Sequence, residues 1–364
     1  MAGRERQRDF ADECMEEQLR KIKEISDFLP RLKRMIPWES FRPVLAGVRE
    51  KQAVGPGGAP AYDVILMFKI LILQTIYNLS GPQTELQIRD RLSFRDFLDL
   101  AMSDRVPDAA TVWLFREKLV NTGLEVALFD RFHEILAESG VTLRGGTIVD
   151  STFVEVPRPR NTKEENAAIK RGEIPKTMTE NPRRAAQKDC DARATSKRNE
   201  WYFGYKDHVA ADAPTKYITA WAVTDAAVHD GGPLLDMLPE KPDEGDDPQV
   251  HGDSAYIGKK TDEELRRRGY DPQINERATR NHPLTQQQKE DNRRKSKIRV
   301  RVEHIFGSMA VRGTSCLLRV IGFPRARCLI GLRNLTYNLD RFVTLNTPRR
   351  PKPTRRRPPE PVPA

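Results

Sequence analysis

The chain has 364 residues, 38% hydrophobic and 31% charged, enough for one large domain or two smaller ones with much charged surface. Lys and Arg outnumber Asp and Glu by 62 to 52, a formal charge of +10 that suits a polyanionic partner. No apolar run is long enough to span a bilayer, and the start, MAGRERQRDFADEC, lacks the apolar core of a secretory signal, so cytosol or nucleoid is the expected location, without membrane association.

Residues 11 to 34 carry Met15, Leu19, Ile22, Ile25 and Leu29 at helical spacing, which predicts an amphipathic helix that needs a partner surface. Pro37 breaks the pattern, and Trp38, Phe41 and Leu45 predict a second short helix. Gly55-Pro-Gly-Gly58 with Pro60 marks a loop, so residues 1–60 read as helices and a linker. Tyr62–Leu79, YDVILMFKILILQTIYNL, predicts a helix buried on most sides, the core of an all-α region over 61–140. Leu86, Leu92, Phe94, Phe97 and Leu98 extend that core, and Asp108 is a natural N-cap for a helix through Val112, Phe115 and Leu119. Two short helices, a turn and this third helix, with Arg116 and Lys118, fit two readings: a helix-turn-helix DNA reader, or a plain bundle with charged solvent faces.

After Val141 the pattern becomes strand and turn alternation. The segment Pro157–Glu200 is long, polar and basic, and reads as an insertion or flexible loop of the kind that is functional or disordered. Trp201–Asp212 and Lys216–Thr224 predict antiparallel strands joined at Ala213-Pro214. A short helix at Leu234–Leu238, a strand at Gln249–Gly252, a helix near Thr261–Arg268 and a strand at Asp271–Asn275 follow. Thr285 and Gln288 form a capping-box start for one long helix to about Val311. The Pro/Arg-rich tail, 346–364, is expected to be disordered.

Three carboxylates stand out. In GGTIVDSTFVEV, Gly145–Val156, two glycines and a short apolar β-type run deliver Asp150 near a strand end. Taken alone it is either the cap of a turn or a metal ligand completed from afar. Asp253 ends the Gln249–Gly252 run. Glu303 lies in KSKIRVRVEHIFGSMAVRG, where Ile298, Val302, Ile305 and Met309 should pack on a sheet. Arg299, four residues before Glu303, forms either a surface ion pair with it or a phosphate contact above the strand ends. Two divalent cations about 4 Å apart, gripped by several carboxylates, are what phosphodiester cleavage and strand transfer require. The four cysteines, Cys14, Cys190, Cys316 and Cys328, have neither Cys-x-x-Cys nor His spacing and argue against zinc. Asp225, His229 and Asp230 admit supporting roles at such a site or plain turn roles; His208 fits a strand face; Trp113, Trp201 and Tyr256 fit a core; Lys206 fits a DNA contact or a solvated strand lysine.

From about Ile36 to Leu345 the chain resembles the DDE transposases of bacterial insertion sequences, in the group related to insertion sequence five (the type-4/11 transposase families). The likeness runs in order through PDAATVWLFREKLVNTGLEVALF, GGTIVDSTFVEVP, QKDCDARAT, YFGYKDHVAAD, VTDAAVHDG, GDSAYIGKK, RVRVEHIFG and NLTYNLDRF. It implies an α/β fold, an RNase H-like mixed β-sheet with flanking helices over 141–345, preceded by an all-α N-terminal domain. It implies Asp150, Asp253 and Glu303 as catalytic and metal ligands for two Mg²⁺ or Mn²⁺ ions, with Arg299 on DNA; Arg116, Lys206 and Arg312 are further DNA-contact candidates. The implied partners are double-stranded DNA, as terminal inverted repeats and target, and a second copy of the chain. Two positions depart from the family pattern: Ser296 stands where a tyrosine is common, and Ala310 where a lysine is common, with Arg312 two residues on. The competing function is a transposase-derived DNA-binding or regulatory protein with little catalysis.

Overall fold

The computed structural model describes residues 10–25, 28–49, 61–197, 199–256, 258–278, 283–311 and 317–347. Helices α1 (Phe10–Ile25) and α2 (Phe28–Met35) cover the expected helical stretch, with residues 26–27 outside the described residues. Leu19 and Leu29 are buried, but Ile25 is 84% exposed. A short turn and α3 (Arg42–Ala46) bring Trp38, Phe41 and Leu45 into the core; the Gly55–Gly58 loop lies outside the described residues.

The apolar run becomes α4 (Val64–Tyr77), capped by Asp63, whose carboxylate accepts from Ile65 and Leu66 N–H, and ended by Asn78 in the left-handed region. Ten of its side chains are buried, and each large apolar one contributes about 1.5–3 kcal/mol. Lys69 survives in that environment because Asp99 takes its ammonium at 2.7 Å. Helices α5 (Gly81–Asp90), α6 (Leu92–Phe97), α7 (Ala109–Thr122) and α8 (Leu124–Glu138) complete the helical region. Asp108 caps α7 as expected, accepting from Thr111 N–H at 2.6 Å. Leu86 and Trp113, assigned to the core from sequence, are 53% and 47% exposed.

Strand β1 (Thr147–Glu155) is central. It needs its two glycines: a Cβ on Gly145 would fall 2.1 Å from the Pro214 ring, and Gly146 has φ +80°. Segment 157–200 is folded rather than loose, with α9 (Lys163–Lys170), α10 (Lys176–Thr179), α11 (Pro182–Ala185) and β2 (Arg193–Lys197). A Thr162–Glu165 capping box starts α9, and Glu165 also accepts from Lys188 and Thr177, both at 2.7 Å. Asp189, buried, accepts from Tyr205 Oη, the backbone of Asp191 and Ala192, and Gly322 N–H, which ties the segment to the sheet and to the C-terminal helix.

Strands β3 (Glu200–Asp212) and β4 (Ile218–Asp225) form the expected hairpin, followed by α12 (Leu234–Met237), β5 (Gln249–Gly252), α13 (Lys259–Arg267) and β6 (Asp271–Ile274). β1 pairs antiparallel with β3 and parallel with β5; β5 pairs parallel with β6; β4 and β2 share the outer edge of β3. This order, β4-β3-β1-β5-β6, with three antiparallel strands and two parallel additions, is the mixed RNase H-like sheet. Successive residues of β1 face opposite layers: Ile148 joins the large helical core and Val149 the smaller core of α12 and α13. Burial on both faces explains why Ile148 and Val149 are apolar at successive positions of the strand.

The long helix expected to reach Val311 is two helices, α14 (Gln286–Arg299) and α15 (Arg301–Val311), separated at Val300. Val302, Ile305 and Met309 pack into the core as predicted, and the Thr285–Gln288 capping box is present. The last helix, α16 (Phe323–Leu345), is buried nearly throughout. Its Asn338 donates to Ile218 O and accepts from Ile218 N–H, and its Tyr337 donates to Lys216 O, so it holds the β3–β4 hairpin. One apolar cluster runs from Leu29 through α4 and α8 to Val343 and includes sheet residues, so the N-terminal helices and the sheet share a core. No single helix among the described residues is long and apolar enough to cross a membrane. Arg312 and the tail from 348 onward lie outside the described residues.

Candidate active site beyond the paired stretch of strands β1 and β5

β1 outruns β5. Ile148 pairs with His251, and two residues beyond each come Asp150 and Asp253, so parallel register carries both carboxylates past the end of the β1–β5 ladder. Asp150 accepts from Ser151 N–H at 2.8 Å, and Asp253 accepts from Ala255 N–H at 2.8 Å as it opens the turn into Tyr256. Burial pushes the Asp150 carboxyl up to about 6, and the nearby Asp253 charge adds to the rise; the Ser151 N–H, Arg299 and Lys197 oppose it. Asp150 lies within β1 rather than near its end as expected, because β1 runs on along β3 to Glu155 after its pairing with β5 stops. Two carboxyls with a shared field just past that paired stretch are a cation-seeking arrangement.

Glu303 arrives from the first turn of α15, half exposed at 57%, and does not touch either aspartate directly. Arg299 stands between. Its Nη1 lies 3.5 Å from Asp150 Oδ2 and its Nη2 3.3 Å from Glu303 Oε1, and its buried Nε has no hydrogen-bond partner. The break at Val300 separates Arg299, the last residue of α14, from Glu303 in the first turn of α15, and the Arg299 guanidinium reaches both Glu303 and Asp150 of β1. Among the described residues no three of His, Cys, Asp and Glu already stand grouped as metal ligands. Asp150 and Asp253 suit a hard divalent cation by donor type, and at Asp150 desolvation disfavours the bare charge. Glu303, more exposed, is engaged by Arg299.

On the other face of β1 is a support that sequence reasoning undervalued. Lys206 pairs with Asp230 at 2.7 Å and donates to Val228 O, and it is only 7% exposed. The reading of Lys206 as a DNA contact or a solvated strand lysine is therefore corrected: its ammonium is buried, and a carboxylate and a carbonyl consume it. Tyr256 is buried beside these groups, and burial with the fields of Asp150, Asp230 and Asp253 holds its phenol well above the usual range. The signal in the sequence was its position three residues after Asp253, which alone does not separate a core tyrosine from a site tyrosine. Asp225 and His229 take turn roles, accepting from Ala227 and Gly231 N–H. His208 is buried, held by Thr224 Oγ1, and burial lowers its imidazole to about 4. Ser296, at the departure from the family pattern, accepts from Asn275 Nδ2 at 2.9 Å.

Arg116 is drawn inward rather than outward: it lines a cavity between α4, α7 and α16, and burial lowers its guanidinium below the usual value. Trp201, expected in the core, is 64% exposed.

An RNase H-like sheet with two acids just past the paired stretch of neighbouring parallel strands, a third on a later helix and an all-α N-terminal region defines the class of phosphodiester-processing recombinases. Residues 142–339 match the family model described as Transposase DDE domain, and residues 16–118 match the Transposase domain (DUF772) model. The chain belongs to the DDE transposase family, whose members cleave and transfer DNA strands and generally use divalent metal ions. It is also similar to the solved structure titled "Cryo-EM structure of piggyBac transposase synaptic complex with hairpin DNA (SNHP)", at 12% identity and a TM-score of 0.40 over 88% of this chain and 73% of that one.

Proposed function

We propose that this transposase nicks DNA at the ends of its element and joins the freed 3′-hydroxyls to target DNA, with Asp150, Asp253 and Glu303 holding two Mg²⁺ or Mn²⁺ ions. The observation that carries the reading is Asp150, a desolvated carboxyl raised to about 6, with Asp253 near it just past the paired stretch of the parallel strands β1 and β5. A buried carboxyl that resists ionisation by itself is stabilised by a hard cation. When bound, such ions supply positive charge to the attacking and leaving oxygens of an in-line displacement.

The chain's own groups do the remainder. Ser151 and Ala255 N–H fix the orientation of the two aspartates. Arg299 releases Glu303 and offers its guanidinium to a substrate phosphate, a bidentate match. The nucleophile is water in the first step and the DNA 3′-hydroxyl in the second, with no covalent enzyme intermediate. The region 61–140 recognises terminal inverted repeats or pairs two copies, because joining both ends requires at least a homodimer on DNA.

The second reading is a transposase-derived regulator that binds DNA with little catalysis. It draws support from the seat of Arg299 between the acids and from Ser296 and Ala310. The deciding assay incubates DNA carrying the element's own ends with the protein, in Mg²⁺ and in chelator. Metal-dependent nicking lost in Asp150→Ala, Asp253→Ala and Glu303→Ala, with binding retained, supports the enzyme. Specific binding with no nicking in Mg²⁺ or Mn²⁺ supports the regulator.

A further inference from the structure

A cavity of about 230 Å³ lies between the end of α4, the start of α5, α7 and α16, far along β1 from the acids. Three guanidiniums line it, those of Arg116, Arg319 and Arg333, and none of the described residues lining it is acidic. Arg333 is partly satisfied, since its Nη2 meets Asp207 at 2.7 Å, but the side chain is 5% exposed and its Nε has no hydrogen-bond partner. Neither Arg116 nor Arg319 has an ion-pair partner among the described residues. The acid next to Arg116, Glu117, is engaged by Arg325 through its Nε and Nη2, at 2.7–2.9 Å. Ser80 and Gly81, which open the ten-residue helix α5, add the positive end of a helix dipole to the same wall. With Arg333 paired to Asp207, the Arg116 and Arg319 guanidiniums keep no ion pair of their own among the described residues, and cations gathered at one wall disfavour one another unless an anion enters.

The cavity has a fixed relation to the catalytic acids. Leu318 N–H donates to Glu155 O at 2.7 Å, and Leu317 bridges Glu155, so one wall is tied to the end of β1. Glu155 is five residues beyond Asp150 on that strand, about 17 Å at the usual strand rise. Duplex DNA rises about 3.4 Å per base pair, so roughly five base pairs span the two places.

We propose that this cavity binds a phosphodiester group of the DNA backbone, a second anchor that fixes the register of the duplex over Asp150 and Asp253. The proposal rests on the reading of this chain as an enzyme that acts on DNA. It assigns Arg116 and Arg319 as phosphate ligands and leaves catalysis to the acids.

The test uses the full chain in chelator, with fluorescence anisotropy of a labelled duplex measured across a salt series. Arg319 is exposed, so Arg319→Gln is expected to fold like the wild type; Arg116→Gln and the double variant follow, with thermal melts as a folding check. The expected result is several-fold weaker binding for each, and a salt-dependence slope smaller by about 0.9 for each phosphate that is no longer neutralised. Arg116→Lys should recover part of the affinity. Unchanged affinity and slope in the folded Arg319→Gln and double variants overturn the proposal. A parallel arm follows the melting temperature in inorganic phosphate without DNA. If the wild type binds no duplex at all, the DNA-enzyme reading is what has failed. If phosphate then still raises the melting temperature in an Arg116- and Arg319-dependent way, the cavity serves a free anion, and the phosphodiester assignment is overturned.

Discussion

Arg299 Nη1 lies 3.5 Å from Asp150 Oδ2, so a guanidinium holds the position from which a metal ion would have to neutralise that carboxylate. The same side chain reaches Glu303 at 3.3 Å. Arg299→Gln should therefore bind Mn²⁺ more tightly, by roughly fivefold if the partly buried ion pair is worth about 1 kcal/mol. Cleavage of element ends should fall at the same time if, as proposed, that guanidinium grips a substrate phosphate. Isothermal titration with Mn²⁺ reads the first effect; unchanged or weaker binding would remove the competition between arginine and metal.

Asp150 sets a pH dependence of definite sign. Its folded value, about 6, is above the ordinary 3.8, so the native state holds the proton more tightly than the unfolded chain. Its contribution to stability is full below the unfolded value and lost as pH rises through about 6, a cost of about 3 kcal/mol at neutral pH. Asp150→Asn should raise stability in chelator at pH 7 by about 1–3 kcal/mol while abolishing nicking. Divalent metal should raise the melting temperature of the wild type above pH 6 and not that of the variant.

His208 acts in the opposite direction. Burial lowers it from 6.5 to about 4, so the unfolded state takes up the proton first and stability falls as pH drops through that window. His208→Asn should flatten the acid limb of urea midpoints measured between pH 7 and 4. An unaltered acid limb would show that His208 is not the group that charges.

Asp207 and Arg333 form a buried pair at 2.7 Å, with Asn334 Nδ2 at 2.9 Å on the other oxygen. Removing one member leaves the other charge buried, which costs about 3–5 kcal/mol. Asp207→Ala should lower the urea midpoint accordingly, without moving the metal affinity of whatever protein remains folded.

Glu165 holds the 157–200 segment through Lys188, Thr177 and the Thr162 N–H, which together lower its carboxyl to about 2. In Glu165→Ala, trypsin should cut after Lys170 and Arg171 earlier than in the wild type, with the rest of the digestion pattern unchanged. Equal rates would mean that the Thr162 Oγ1 cap on the residue-165 N–H holds the segment without the carboxylate.

Much of the catalytic sheet was legible from residues: β1, the β3–β4 hairpin and the two short parallel strands carry apolar runs bounded by turn residues. The 157–200 segment was not, because its order comes from a few buried polar bonds, Glu165 to Lys188 and Asp189 to Tyr205, that leave no periodic trace. Lys206 was misread for a related reason. A lysine on a strand is buried only when a distant residue, here Asp230, supplies its counter-charge. The break at Val300 was not legible because valine is a permissible helix residue and no Gly or Pro marks an end there. The acids themselves were found through a resemblance in sequence, since any three carboxylates among 52 acidic residues satisfy spacing alone.

The burial of α16 bears on how such a gene decays. Its Asn338 completes the start of β4, its Arg333 neutralises Asp207, and its apolar side chains close the cluster shared with α4 and α8. A product truncated ahead of Phe323 would open all three at once, and leave a polypeptide for cellular proteases rather than a repressor that competes with intact copies for element ends.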